Sequence, residues 1–311
     1  MRIAFLDTDT MGNVPNLHEI NALGEVVYYP VTLPQQTVER LQGIDIAITC
    51  KVVIDRHIID HAPQLKLICA AATGINHIDA EYAQQKGIVV KNVADYSTFS
   101  VAQHTFALIL SLYHHIPFYD SFVKDGRYSR HPIFSGMERN ITEIRGKIFG
   151  IIGLGAIGKK VAEIATAFGA DVWYYSTSGK NFYPAYRRVS LEELLRNADI
   201  VSIHAPLNDA TRNLIAYPQL SLMKPSAIII NTGRGGIIHE ADLARAIDED
   251  LIAGAGLDVF LREPILPDNP LMRVKKSEKL ILSPHNAWTS LEARKVLIDG
   301  IVKNIRDFIN Q

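Results

Sequence analysis

The stretch Gly153-Leu154-Gly155-Ala156-Ile157-Gly158 constrains this chain more than any other, because of what stands on either side of it. Before it runs Lys147-Ile148-Phe149-Gly150-Ile151-Ile152, led by Gly146, an apolar run with the length of a buried strand. After it, residues 159–169 carry Val161, Ala162, Ile164, Ala165 and Phe168 at helical spacing. A G-x-G-x-x-G between strand and helix is a dinucleotide-binding turn. Gly153 lets the chain turn sharply, Gly155 removes a side chain so that backbone can approach a pyrophosphate, and Gly158 lets helix pack on strand. The helix N-terminus then presents N–H groups to the phosphates. The competing use of such a turn is close packing of strand and helix alone.

Around this turn the chain alternates short apolar runs with helical patterns, which predicts parallel sheets covered by helices. In the first hundred residues the candidate strands are 2–6, 25–29, 44–49, 65–70 and 88–91, with helical patterns near 35–41, 55–61 and 79–85. A second series begins at Lys147 and continues through 171–175, 200–204, 227–231, 253–259 and 280–283. One long helix over about 100–123 is expected to join the two series, residues 125–142 read as a loop, and a last helical pattern spans 290–309. At 311 residues the chain is long enough for two domains. The expected fold class is α/β: two Rossmann-like, doubly wound parallel-sheet domains with a ligand cleft between them.

Charge and composition exclude several functions. The formal net charge is −1 and basic residues are scattered, so nothing suggests a footprint for nucleic acid or an anionic membrane. The pairs Arg187-Arg188 and Lys275-Lys276 read as solvated surface. Cys50 and Cys69 end apolar runs and read as reduced core thiols, and no metal-ligand spacing such as H-E-x-x-H or paired C-x-x-C is present. The most apolar helical pattern, 101–116, is interrupted by Gln103, His104, His114 and His115 and is too short to span a bilayer. The first residues read as a strand rather than a signal peptide, so a cytoplasmic protein is expected.

Three polar residues stand at strand ends in the second series, where an open α/β sheet places its site. Arg234, in Asn231-Thr232-Gly233-Arg234-Gly235-Gly236, sits on a glycine-flanked loop that can approach a ligand closely. Its guanidinium matches a carboxylate two-pronged, whether that of a substrate or of a structural Asp. Glu263 and His285 follow the next two strands. A carboxylate next to a His favours imidazolium and makes it a proton donor near neutral pH, but spacing alone does not bring the two together.

With these motifs in order the chain resembles the D-isomer-specific 2-hydroxyacid dehydrogenases, and most closely their glycerate dehydrogenase branch, also called hydroxypyruvate or glyoxylate reductases. The resemblance spans essentially the whole length and rests on residues 153–158, 231–235, 256–264 and 283–290, with Ala71-Ala72-Thr73-Gly74-Ile75-Asn76-His77-Ile78-Asp79 and residues 96–105 in the first series. It implies a flavodoxin-like substrate domain over 1–99 and 286–311 and a dinucleotide domain over 100–285. It implies that Arg234 binds and polarises the substrate, and that His285, kept protonated by Glu263, exchanges the proton, while a nicotinamide dinucleotide carries the hydride. Substrate contacts would come from Lys51, Val52, Thr73 and Gly74, with Trp288 as a pocket wall or a core aromatic. Cofactor contacts would come from Gly153, Gly155, Ala156, Ile157, Gly158, His204, Pro206, Thr232, Arg234, His285 and Asp258, the last bonding the nicotinamide amide or merely bracing a loop. The linking helix would form a homodimer interface. The substrate would be a small 2-oxo or 2-hydroxy acid of the glyoxylate or hydroxypyruvate type.

One position departs from the pattern of NAD-preferring members, whose second nucleotide-domain strand ends in an acidic residue that bonds the ribose 2′-hydroxyl. Here Ser176 stands there, followed by Thr177, Ser178 and Lys180. No carboxylate repels a 2′-phosphate, so NADP is favoured over NAD, the alternative being a neutral turn that accepts either. A non-catalytic, dinucleotide-sensing regulatory binder on the same fold is the second functional reading, since such binders can keep the same three polar residues.

Overall fold

The computed structural model describes residues 1–180 and 182–311. The chain divides into two compact units: Met1–Ser97 with Trp288–Gln311, and Thr98–Ala287.

The first unit is built on five parallel strands, β1 (Arg2–Phe5), β2 (Glu25–Tyr28), β3 (Ile46–Thr49), β4 (Leu67–Ala70) and β5 (Val89–Lys91), in the order β2-β1-β3-β4-β5. Continuous apolar runs give strands buried on both faces, and the pleat sorts their side chains between two cores. Ile3, Phe5, Ile46, Ile48, Leu67 and Cys69 point to one face, where Leu297, Ile298, Ile301 and Ile305 of the C-terminal helix Leu291–Ile309 cover them. Ala4, Ala47, Ile68 and Ala70 point to the other. That face is covered by α1 (Thr37–Arg40), α2 (Arg56–Asp60) and α3 (Ala80–Gln85), with Asp55 and Asp79 capping the last two through their carboxylates. The C-terminal helix docks closely because Gly300 faces Val93, where an added Cβ would lie 2.5 Å from a methyl group.

The second unit opens with α4 (Thr98–Tyr113) and α5 (Ile116–Lys124), which corrects the expectation of one long helix. His115 takes a left-handed conformation at φ 49°, and Pro117 has no N–H to bond the Tyr113 carbonyl in a continuous helix but suits the first turn of a new one. Seven parallel strands follow: β6 (Ile148–Ile152), β7 (Asp171–Tyr175), β8 (Arg187–Arg188), β9 (Ile200–Ile203), β10 (Ile228–Asn231), β11 (Gly254–Leu257) and β12 (Leu280–Leu282). Their order is β12-β11-β10-β9-β6-β7-β8, so the chain winds outward one way from β6 and then the other. The pair Arg187-Arg188 is exposed, as its charge implies, yet it also forms the edge strand β8 by pairing with β7. A lysine or arginine edge discourages pairing with another chain.

Phe149, Ile151, Val172, Tyr174, Ile228 and Ile230 pack under α4 and α6 (Ala156–Ala167). On the other face Ile152, Val201, Ile203, Ile229 and Leu257 pack against α7 (Leu191–Asn197), α8 (Tyr217–Leu220) and α9 (Glu240–Asp248). The helix after the glycine turn thus begins three residues earlier than its apolar pattern indicates, directly on the turn. No helix among the described residues is long and apolar enough to cross a membrane.

Candidate active site

The glycine turn leaves β6 and enters α6, and each glycine has its own reason to be there. Gly153 has φ 92°, and a Cβ on it would lie 2.8 Å from the backbone nitrogen of Ala205. A Cβ on Gly158 would overlap the carbonyl oxygen of Gly153. Among the described residues a Cβ on Gly155 would meet nothing within 4 Å, so what the missing side chain preserves there is open space. Gly155 is the N-cap of α6 and no side chain caps that end. The turn therefore keeps the room and the helix N-terminus that a pyrophosphate needs.

Two buried polar atoms near this edge lack a hydrogen-bond partner among the described residues: Ser176 Oγ at the end of β7, and His204 Nδ1 at the end of β9. His204 Nε2 lies 2.8 Å from Ser202 Oγ, and burial drives the imidazole pKa down to about 3, so the ring is neutral at physiological pH. Buried polar atoms are normally paired, and an orphan at a ligand edge fits a group that the ligand completes. Together with the space at Gly155, these atoms fit a bound dinucleotide.

The loops after β10, β11 and β12 leave the same edge of three adjacent strands, because Asn231, Leu257 and Leu282 stand level in register. Asn231 shapes the first loop: its amide donates to the Arg234 carbonyl at 2.9 Å and its oxygen accepts from Gly233 N at 3.0 Å. Arg234 is half-buried, its Nη1 donates to the Gly233 carbonyl at 2.8 Å, and no carboxylate pairs with it among the described residues. Gly235 lets this loop lie against the next, since a Cβ there would overlap the Phe260 carbonyl.

His285 and Glu263, which spacing alone left apart, are in contact: His285 Nδ1 is 2.6 Å from Glu263 Oε2. The other carboxylate oxygen accepts from Phe260 N at 3.1 Å, so the loop's own backbone orients Glu263. A carboxylate at Nδ1 requires the proton on that nitrogen and leaves Nε2 for exchange with a substrate. His285 itself is left-handed at φ 52°, a conformation that persists in a non-glycine residue only where surroundings enforce it.

Asp258 supplies that enforcement. It is 1% exposed, and its carboxylate accepts from Ser283 Oγ (2.6 Å), Asn286 N (3.0 Å) and Ala287 N (2.9 Å), while its carbonyl accepts from His285 N (2.8 Å). These contacts brace the loop that carries His285. His104 joins the same network, with Nε2 2.8 Å from Ser283 Oγ. Thr232 is buried and its hydroxyl bonds that of Thr105 on α4 at 3.0 Å, whereas Pro206 is exposed.

In the first unit Lys51 and Val52 follow β3, and their backbone N–H groups donate to the buried carboxylate of Asp7 at 2.6 and 3.3 Å. Thr73 is exposed, with its hydroxyl 3.3 Å from the Val93 carbonyl, and Gly74 is half-buried beside it. Trp288 packs edge-on against Tyr96, ring centres 6.1 Å apart. Sequence reasoning missed Asp7 and the extent of Asp258's bracing; an acidic residue closing an apolar strand run is the signal that could have found both.

Residues 106–287 match the family model for the NAD binding domain of D-isomer specific 2-hydroxyacid dehydrogenases. Over 309 residues the chain is 37% identical to a glycerate dehydrogenase of Methylorubrum extorquens, covering 99% of this chain and 96% of that protein. It is 42% identical over 251 residues to a glyoxylate reductase of Aeropyrum pernix, covering 78% of this chain and 72% of that one. Among solved structures, an acyclic imino acid reductase in complex with NADPH and D-Arg superposes with a TM-score of 0.90 at 32% identity, over 100% of this chain and 98% of that one. The chain belongs to the D-isomer specific 2-hydroxyacid dehydrogenases, and its second unit is the nicotinamide-dinucleotide-binding domain of that family.

Proposed function

We propose that this enzyme reduces a small 2-oxo acid of the glyoxylate or hydroxypyruvate type to the 2-hydroxy acid, with NADP favoured as cofactor. The observation that carries the reading is the 2.6 Å contact between His285 Nδ1 and Glu263 Oε2, which fixes a ring whose second nitrogen can give or take a proton. The dinucleotide, when bound at the glycine turn, supplies the hydride. Arg234, free of any carboxylate partner among the described residues, binds the substrate carboxylate and stabilises charge developing on the C2 oxygen. His285 donates a proton from Nε2 to that oxygen, and in the reverse direction accepts it. Asp258 is a positioning residue that keeps the His285 loop in place.

Names of relatives support the substrate class, and Ser176 supports the cofactor preference, because a serine at the end of β7 cannot repel a 2′-phosphate. The test is oxidation of NADPH and NADH, side by side, with hydroxypyruvate and with glyoxylate. Turnover is expected, faster at low cofactor concentration with NADPH. Nucleotide binding without turnover on these or larger 2-oxo acids would overturn the reading in favour of a regulatory binder. His285→Ala is expected to lower kcat by about 10²–10⁴-fold with little change in KM, because the proton moves only in the transition state. Arg234→Ala is expected to damage both constants. A Ser176→Asp variant that kept the NADPH-to-NADH ratio of the parent would remove Ser176 from the argument.

A further inference from the structure

A serine hydroxyl removes repulsion but does not by itself balance a phosphate monoester, which carries a charge of about −1.5 to −2 near neutral pH. A pocket of about 350 Å³ lies between the glycine turn and the segment that follows β7. Gly155 and Ala156 of the turn, Lys159 of α6, and Lys180, Phe182 and Tyr183 of the segment line it. Among the described residues the pocket presents two cations and no carboxylate. Neither Lys159 nor Lys180 forms an ion pair among the described residues, whereas the adjacent Lys160 pairs with Glu163 on the same helix.

Lys159 is directed toward this pocket by a specific contact. Its Nζ stands 4.7 Å from the centre of the Tyr183 ring, a cation–π arrangement. Tyr183 in turn is held to the sheet, since its backbone N–H donates to the hydroxyl of Tyr174 at 2.9 Å and Tyr174 is fully buried in β7. The other limb of the segment is tied down as well: Arg188 on β8 donates to the Gly179 carbonyl at 2.9 Å, and Lys180 N donates to Ser178 Oγ at 3.3 Å. The two lysines therefore face one space from opposite walls, one on the helix and one on the segment, beside the strand end that recognises the ribose edge.

We propose that Lys159 and Lys180 clamp the phosphate on the ribose 2′-oxygen from two sides, with Tyr183 as the positioning residue for Lys159. Two ammonium groups match the charge of a monoester, and the backbone N–H groups at the start of α6 are left for the pyrophosphate. The proposal rests on the NADP preference stated above.

The test is calorimetric titration of the intact protein with adenosine 2′,5′-bisphosphate and with adenosine 5′-monophosphate, which need no turnover. The parent is expected to bind the bisphosphate more tightly. Lys159→Gln and Lys180→Gln are each expected to weaken the bisphosphate about ten-fold, with the monophosphate changing less than about two-fold, the scale of one exposed charge-assisted contact. Tyr183→Phe keeps the ring and the preference; Tyr183→Leu falls to the level of Lys159→Gln. The preference also declines as salt rises, because the clamp is open to solvent. A parent that prefers the bisphosphate, with Lys159→Gln unchanged, overturns the clamp and leaves the cofactor reading standing. A parent with no preference overturns both. Equal weakening of both ligands in Lys159→Gln assigns that lysine to the 5′-phosphate and also overturns the clamp.

Discussion

The two units place opposite things at the same topological position. In each, the first strand of the series lies inside a parallel sheet and the chain winds away from it in both directions: β1 between β2 and β3, β6 between β7 and β9. Such a reversal opens a ligand position off the carboxyl end of the strand. At the end of β1 the first unit puts Asp7, a buried carboxylate that accepts backbone N–H groups of Cys50, Lys51 and Val52 at 2.9, 2.6 and 3.3 Å. At the end of β6 the second unit puts Gly153 and Gly155, with no side chain and open space at the latter. The first position is filled by an anion of the protein's own; the second is kept for an anion from outside. Topology offers the position, and one residue at the strand end decides which use it has.

Forcing a methyl group into the open turn is the harshest way to break that contrast. Gly158→Ala drives a Cβ into the Gly153 carbonyl, so turn or helix must shift. A stability loss of about 3 kcal/mol is expected from such overpacking, together with loss of dinucleotide binding. Denaturant unfolding and cofactor fluorescence titration read the two effects, and a stable variant with normal affinity would show that the turn does not depend on this contact. The matching change in the first unit is Asp7→Ala, which leaves three backbone N–H groups without their acceptor. A loss of about 2 kcal/mol is expected, with dinucleotide affinity unchanged. If affinity fell along with stability, the separation of the two roles would be wrong.

That contrast was only half legible in the sequence. Strands such as 46–49 and 67–70 announce themselves because a strand covered on both faces is apolar throughout, and the glycine turn is local enough to read directly. Asp7 had a local signal as the acidic end of an apolar run, but its partners were not legible, because they lie 43 to 45 positions away. The pairing of Glu263 with His285 was foreseen only through a resemblance, for the same reason of distance along the chain. The break between α4 and α5 did have a local signal in Ile116-Pro117, overridden by the continuous apolar pattern on either side. Edge strand β8 had none, since two arginines become a strand only by lying against β7.

A gentler substitution sharpens the comparison at the ligand itself. Gly155→Ala adds a Cβ that touches no atom of the described residues, so the unfolding midpoint is expected to stay within error of the parent. Dinucleotide affinity is expected to fall about ten-fold, about 1.4 kcal/mol, because the methyl group occupies room meant for the ligand. A fall in stability instead would mean that the open space at Gly155 belongs to the fold and not to the cofactor.

The smallest effect concerns the anion that the first unit keeps inside. Burial raises the pKa of Asp7 above its ordinary 3.8, and the three backbone N–H groups offset this only in part. A carboxyl whose pKa is raised by folding binds its proton more tightly in the native state, so its contribution to stability is present at acid pH and declines as pH rises through the raised value. Asp45, Asp60 and Asp79 of the same unit act in the opposite sense: their pKa values are lowered, chiefly by Lys66, by Lys86 and by the backbone N–H of Tyr82. The total pH profile therefore hides Asp7, but subtraction exposes it. Asp7→Asn keeps the side-chain shape and removes the titration, and melting temperatures of parent and variant can be compared from about pH 3.5 to neutrality, a range that brackets the ordinary carboxylate value. The advantage of the parent over the variant is expected to shrink across the acid side of that range and then level off. An advantage that grows with pH would mean that the N–H groups of residues 50–52 outweigh burial.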